Sequence, residues 1–239
     1  MTGSDRTQAL VTGGARGIGR GAAIALADAG YEVLATGLTG AELATVEPHP
    51  GVRFAALDVT DDAAVRAMIG GLSRLDALVN AAGIIQRGGK EFEVDAFRLT
   101  LEVNLVGTMR MCVAARDILA AHGGAIVNVA SMLSFFGAPL APGYAASKGG
   151  VAQLTKSLAA AWAGDGVRVN AVAPGWIATD LTRALQDDDA RSAAILARTP
   201  MKRWGTPEDI GPVVQFLLSD AARFITGAIL PVDGGYLTV

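Results

Sequence analysis

The sequence predicts an α/β fold: one doubly wound, parallel β-sheet of about seven strands with helices on both faces. Three observations carry that expectation. Short apolar runs alternate with helix-periodic stretches along the whole chain. The runs are continuously apolar with no in–out alternation, the pattern of strands buried on both faces. The first run, Ala9-Leu10-Val11-Thr12, ends in Gly13-Gly14-Ala15-Arg16-Gly17-Ile18-Gly19 and passes directly into a helix, which makes it the first half of a βαβ unit.

The elements follow in order. The first helix runs through Ala22, Ala23, Ile24, Leu26 and Ala27 and stops at Gly30. Tyr31–Thr36 is the second strand, and Ala41–Val46 is a short helix broken by Pro48-His49-Pro50-Gly51. Val52–Leu57 is the third strand, ending in Asp58-Val59; Thr60 or Asp61 then caps a helix to about Ile69. Leu75–Val79 is the fourth, closed by Asn80-Ala81-Ala82-Gly83, and a long helix from Val94 to Leu119 contains Asn104. Ala125–Ala130 is the fifth strand and ends in Ser131. A helix carrying Tyr144 leads to the sixth, Val167–Val172, which ends in Pro174-Gly175-Trp176. Residues 177–205 lack a strand and read as a helical flap over a substrate, with Asp187-Asp188-Asp189 as a solvated turn or helix start. Glu208–Leu218 and Ala228–Val232 complete the set. No linker, repeat or low-complexity segment divides the chain, so residues 1–239 form a single domain.

Composition narrows the function. Of 239 residues, 51% are hydrophobic, enough for a large core, and the net charge of −3 argues against nucleic acid or an anionic membrane as partner. The amino terminus is polar, with no signal-peptide pattern, and no apolar stretch reaches eighteen residues. The expected location is the cytoplasm, which suits the single cysteine, Cys112, read as a small buried hydrophobe. With only His49 and His122 beside it, no metal site is expected.

The chemistry is expected at Gly143-Tyr144-Ala145-Ala146-Ser147-Lys148. On a helix, residues four apart share a face, and an ammonium beside a phenol favours the phenolate and lowers its pKa. Alone, such a pair more often marks a surface tyrosine and an unrelated lysine on an amphipathic helix. Its company decides: Gly13–Gly19, Asp58, Asn80–Gly83, Ser131 and Pro174–Trp176 all follow strand ends, the edge where open α/β sheets bind ligands. The glycine turn suits a pyrophosphate at a helix N-terminus. The second strand ends in Thr36-Gly37-Leu38-Thr39, with neither a carboxylate for ribose hydroxyls nor an arginine for a 2′-phosphate.

With these motifs in this order, the whole chain resembles the short-chain dehydrogenase/reductase family, which implies a Rossmann-type domain. The resemblance implies that Gly13, Arg16, Gly17, Ile18 and Gly19 hold a nicotinamide dinucleotide. It adds Gly37, Leu38, Asp58 and Val59 at the adenosine, Asn80, Ala81 and Gly83 along the floor, and Pro174, Gly175, Ile177 and Thr179 at the carboxamide. Asn104, Ser131, Tyr144 and Lys148 match the family's catalytic tetrad. By that resemblance Tyr144 is the acid in reduction and base in oxidation, Lys148 lowers its pKa and holds the ribose, and Ser131 binds the substrate oxygen. Asn104 would hold a water in a kinked or distorted helix. Ala81 departs from the family pattern, where an asparagine stands.

Gly83-Ile84-Ile85-Gln86-Arg87, Ala130–Phe135 and Arg191–Gly205 further resemble the branch acting on sugar acids and polyols, the 2-dehydro-3-deoxygluconate 5-dehydrogenases and gluconate 5-dehydrogenases. A carboxylate-bearing substrate wants a cation, and Arg87 or Arg203 would serve, with Ser131, Met132 and Trp176 completing the substrate side. The alternatives are a 3-oxoacyl-carrier-protein reductase and a non-catalytic dinucleotide sensor. NAD(H) is favoured as cofactor because Leu38 stands where an arginine would await a 2′-phosphate; Arg16 leaves NADP(H) open. The C-terminal Ile225–Gly235 segment resembles the family's tetramer interface, implying a homotetramer.

Overall fold

Leu10, Leu78, Ile126 and Val169 stand side by side on four neighbouring strands, each fully buried. One residue further along, Val11, Val79 and Val127 form the next rung and face the other way. In a computed structural model that describes residues 7–239, the first rung belongs to one apolar core and the second to another. A strand period of two thus feeds both faces. Each such Leu or Ile contributes ~1.5–3 kcal/mol by leaving water.

The strands are β1 (Gln8–Thr12), β2 (Glu32–Gly37), β3 (Val52–Ala56), β4 (Ala77–Asn80), β5 (Ala125–Val129), β6 (Arg168–Pro174) and β7 (Ile229–Val232). They form one parallel sheet in the order β3-β2-β1-β4-β5-β6-β7. The order reverses between β1 and β4, which opens a crevice above their C-terminal ends. The helices α1 (Gly17–Asp28) and α9 (Pro207–Leu218) pack together over one face. On the other lie α3 (Asp62–Gly70), α4 (Val94–Leu101), α5 (Gly107–Ala120) and α6 (Pro142–Trp162). The short α2 (Gly40–Leu43) follows β2.

The long helix expected over Val94–Leu119 is interrupted. Glu102–Val106 forms a π-helical turn between α4 and α5, the distortion expected at Asn104. The widened turn leaves the Asn104 carbonyl to the Thr108 hydroxyl, 2.8 Å away. Between β6 and α9 the chain makes α7 (Arg183–Gln186) and α8 (Asp189–Arg198), neither with a buried residue, and returns through a bridge from Ile177 to Gly205. Asp188 caps α8, accepting the Arg191 N–H at 3.0 Å. Among the described residues no helix is long and apolar enough to cross a membrane.

The sheet's last rung is polar. Thr12, Asn80 and Asn128 stand in register, and Asn80 Nδ2 donates to Asn128 Oδ1 at 2.9 Å. Asn128 Nδ2 donates in turn to the Thr155 hydroxyl on α6, also 2.9 Å. All are buried, so each unpaired amide would be costly. The rung therefore fixes α6 against the C-terminal edge of the sheet.

Candidate active site

The turn after β1 forms a bare cradle. Gly13 has φ 63°, and a Cβ there would come within 2.8 Å of Ala82 Cα; a Cβ at Gly19 would lie 2.2 Å from the Gly13 carbonyl oxygen. At Gly17 the nearest atom, on Thr179, is 3.4 Å away, so this side stays open. No side chain caps α1 at Arg16, and its first turn holds no acid. The free N–H groups and the positive dipole end face the opening, and these residues fit a dinucleotide pyrophosphate.

The cradle opens into a cleft of about 660 Å³. Of the residues expected to hold a dinucleotide, Gly13, Arg16, Gly17, Ile18, Gly19, Gly37, Leu38, Asp58, Val59, Ala81, Gly83, Tyr144, Lys148 and Thr179 line it. Arg87 lines it too. Asp58 also uses its carboxylate locally, accepting from the Thr60 N–H and hydroxyl at 2.8 and 2.7 Å. Asn80 lies below the floor in the polar rung, and its amide also donates to Cys112 Sγ at 3.2 Å. Pro174 and Gly175 stand at the end of β6, and Ile177 packs into the core; Asp180 and Leu181 line the cleft beside Thr179 instead.

Tyr144 and Lys148 project from the first turns of α6, which begins at Pro142. The Ser131 hydroxyl stands close enough to the Tyr144 phenol to lower its pKa. Burial pushes that phenol up to about 12; Ser131 and Arg87 pull it down, and the Glu91 carboxylate pushes it up. The net direction runs against the expected lowering because burial is the largest cause. Lys148 Nζ lies 5.6 Å from the Tyr144 ring centre and donates to the Val129 carbonyl at 2.6 Å. Burial lowers its own pKa to about 8.

Asn104 is fully buried and its side chain is committed to protein groups. Nδ2 donates to the Ile84 carbonyl at 2.9 Å and the Ser147 hydroxyl at 3.0 Å, and Oδ1 accepts the Ile84 N–H at 2.8 Å. Asn104 thereby clamps the segment following Gly83 against the helix of Tyr144. Met132 is buried beside Ser131. Trp176 packs edge-on against Trp204 and Tyr236, with centroids 6.0 and 6.3 Å apart. Arg87 donates to the Leu181 carbonyl and so joins the 84–92 loop to the 177–205 segment. Arg203, the other cation expected near a substrate, is instead bound through both terminal nitrogens to Asp209 at 2.6 and 2.7 Å and secures the start of α9. Cys112 is buried and its thiol is pushed up to about 12 by desolvation, so it packs and does not react.

Two acids escaped the sequence reading. Glu91 is 1% exposed, a carboxylate between two backbone donors. In the sequence Lys90-Glu91 looks like a solvated charge pair, and only the fold buries it. Glu42 stands at the adenosine end of the cleft. It had a signal: Thr39-Gly40-Ala41-Glu42 has the spacing of a capping box, and Thr39 does accept the Glu42 N–H at 3.1 Å.

A phosphate cradle beside a phenol, a lysine and a serine at the switch point of a parallel sheet defines a dinucleotide-dependent oxidoreductase. A family model described as enoyl-(acyl carrier protein) reductase matches residues 13–237. The 2-dehydro-3-deoxy-D-gluconate 5-dehydrogenase of Pseudoalteromonas atlantica is 43% identical over 242 residues, covering 96% of this chain and 95% of the relative. The enzyme of that name from Bacillus subtilis is 42% identical, covering 96% and 94%. A gluconate 5-dehydrogenase structure from Burkholderia cenocepacia in complex with NADP and tartrate superposes with TM-score 0.92 at 37% identity, covering 99% and 97%. The chain belongs to the short-chain dehydrogenase/reductase family and is an NAD(P)-dependent enzyme acting on CH–OH groups.

Proposed function

We propose that this enzyme interconverts a secondary alcohol and a ketone on a sugar acid, as a 2-dehydro-3-deoxy-D-gluconate 5-dehydrogenase-like oxidoreductase. One observation carries the substrate class. Arg87 stands in the same cleft as Tyr144 and acts on its phenol electrostatically, which is where a substrate carboxylate would find a cation. The relatives named for sugar acids support the same reading.

When bound, the nicotinamide supplies or takes up the hydride. Tyr144 provides the proton to the nascent alkoxide in reduction; its raised pKa keeps the phenol protonated at neutral pH. Ser131, whose hydroxyl acts on that phenol, holds the substrate oxygen between the two hydroxyls. Lys148, charged below about pH 8, places a positive charge beneath the site where the ribose would lie. Asn104 keeps the helix and the floor in register. Met132 and Trp176 shape the substrate side.

Several further features belong to this proposal. Residues 177–205 serve as a substrate flap, supported by helices without buried residues and by Leu181 at the cleft. Pro174, Gly175 and Ile177 act through their backbone beside the carboxamide, and Asn80 through the rung that supports the floor. NAD(H) is the preferred dinucleotide, with NADP(H), held by the Burkholderia cenocepacia structure, the alternative. The enzyme is a cytoplasmic homotetramer; Val106, Met109 and Val113 exposed on one helix, with Phe224, supply apolar surface for subunit contacts.

Initial rates with NADH and NADPH against keto-sugar acids, neutral ketoses and a short 3-oxoacyl thioester test the reading. Activity concentrated on sugar acids is expected. Activity confined to the thioester, or tight dinucleotide binding with no turnover, would overturn it. Sedimentation analysis tests the tetramer.

A further inference from the structure

We infer that Glu42 supplies the carboxylate that the end of β2 lacks, and that with Arg16 it sets the choice between a ribose 2′-hydroxyl and a 2′-phosphate. A carboxylate in this position accepts hydrogen bonds from ribose hydroxyls and repels a phosphate. The strand's own end offers only Gly37 and Leu38.

The geometry replaces what the strand omits. Glu42 sits on α2, beyond the strand, yet its side chain folds back over the strand end. Its Oε2 accepts the Leu38 N–H at 2.8 Å. A Cβ built on Gly37 would come within 2.9 Å of that same oxygen, so the carboxylate occupies the space into which a side chain at position 37 would project. A side chain at position 37 would have to displace that carboxylate, and an aspartate introduced there would meet Glu42. Glu42 lines the cleft together with Gly37, Leu38 and Arg16, and its side chain is only 24% exposed.

Arg16 completes the device. Its Nε lies 3.3 Å from Glu42 Oε1 at the lip of the cradle, with 69% of its side chain in solvent. While Glu42 is charged, Arg16 is paired and the site presents a carboxylate to the ribose. Once the carboxylate is neutralised, the same guanidinium is free to meet a 2′-phosphate, for which its fork of donors is suited. The sequence reading saw Arg16 alone and found the discriminator missing; the fold supplies its partner.

This inference rests on the dinucleotide reading but not on which dinucleotide the enzyme prefers. The test is the dissociation constants of NADH and NADPH, measured by calorimetry or nucleotide fluorescence on the full chain. Glu42→Gln keeps an oxygen for the Leu38 N–H and removes the charge. The ratio of NADPH to NADH affinity is expected to rise about ten- to a hundredfold, with the melting temperature unchanged. Adding Arg16→Ala to Glu42→Gln should take most of that gain away. A wild-type preference for NADPH would end the NAD(H) reading alone, since Glu42→Gln would still move the ratio. An unchanged ratio, or equal losses for both dinucleotides, would overturn the role of Glu42.

Discussion

Glu91 Oε2 accepts the backbone N–H of Tyr144 at 2.8 Å while Oε1 accepts that of Gln86 at 2.9 Å. One buried carboxylate therefore bonds the first turn of α6, which carries the phenol, and the loop that carries Arg87. A negative charge also suits the N-terminal end of a helix. Glu91→Gln leaves one acceptor and turns the other group toward a donor. It should destabilise the fold by ~1–3 kcal/mol and, by removing a charge that raises the Tyr144 pKa, shift the alkaline limb of the pH profile downwards. Urea unfolding and a pH series of initial rates read the two effects; a stability loss with an unmoved profile would make Glu91 a purely structural tie.

Tyr144→Phe removes the proton that reduction requires and leaves the cradle intact. Turnover should fall by roughly 10²–10⁴, while dinucleotide affinity stays within a few-fold of wild type. Appreciable residual turnover would remove Tyr144 from the acid/base role.

With the phenol pushed up to about 12, oxidation, which needs the phenolate, should accelerate with pH through the alkaline range. Reduction should hold steady across neutral pH, where the phenol stays protonated. The paired profiles of kcat/KM check this. An oxidation plateau already reached at pH 7 would mean that the bound state lowers the phenol far more than this geometry implies.

Lys148 is 5% exposed, and its pKa falls from 10.5 to about 8 because burial disfavours the ammonium. Between those values the unfolded chain binds more protons than the folded one, so stability should rise with pH across that window and lie at its lowest plateau below it. The drop corresponds to roughly 3 kcal/mol of strain at neutral pH. Lys148→Met removes the charge but leaves the Val129 carbonyl without its donor. A net gain of ~1–2 kcal/mol is expected at pH 7 together with loss of activity. Urea titrations at pH 7 and pH 10 should show the variant's advantage shrinking as pH rises.

Arg87→Ala should raise KM for acidic sugars roughly tenfold or more while leaving neutral polyols within about threefold. It also releases the contact to Leu181. An equal rise for both substrate types would assign Arg87 to holding the 177–205 segment.

The sequence by itself determined the sheet and the place of the chemistry. Apolar runs such as Ala9–Thr12 and Ala125–Ala130 have one low-energy home, a parallel sheet buried on both faces. Chain polarity then delivers the segment after each strand to one edge, so Gly13, Gly83 and Ser131 converge without any long-range detail being known, and Tyr144 joins them from the start of the helix that follows β5. The π-helical turn at Asn104 was legible for a different reason, through resemblance to a family in which that residue distorts its helix. The tertiary structure decided the electrostatics. Whether Glu91 is solvated or buried, whether Glu42 points to water or folds over Gly37, and whether Arg203 meets substrate or Asp209 depend on neighbours 4 to 53 residues away in the chain. So does the Tyr144 pKa, where desolvation outweighs the lowering by Ser131 and Arg87. Local pattern fixes where a side chain starts; only the packed fold fixes the dielectric and the partners at its end.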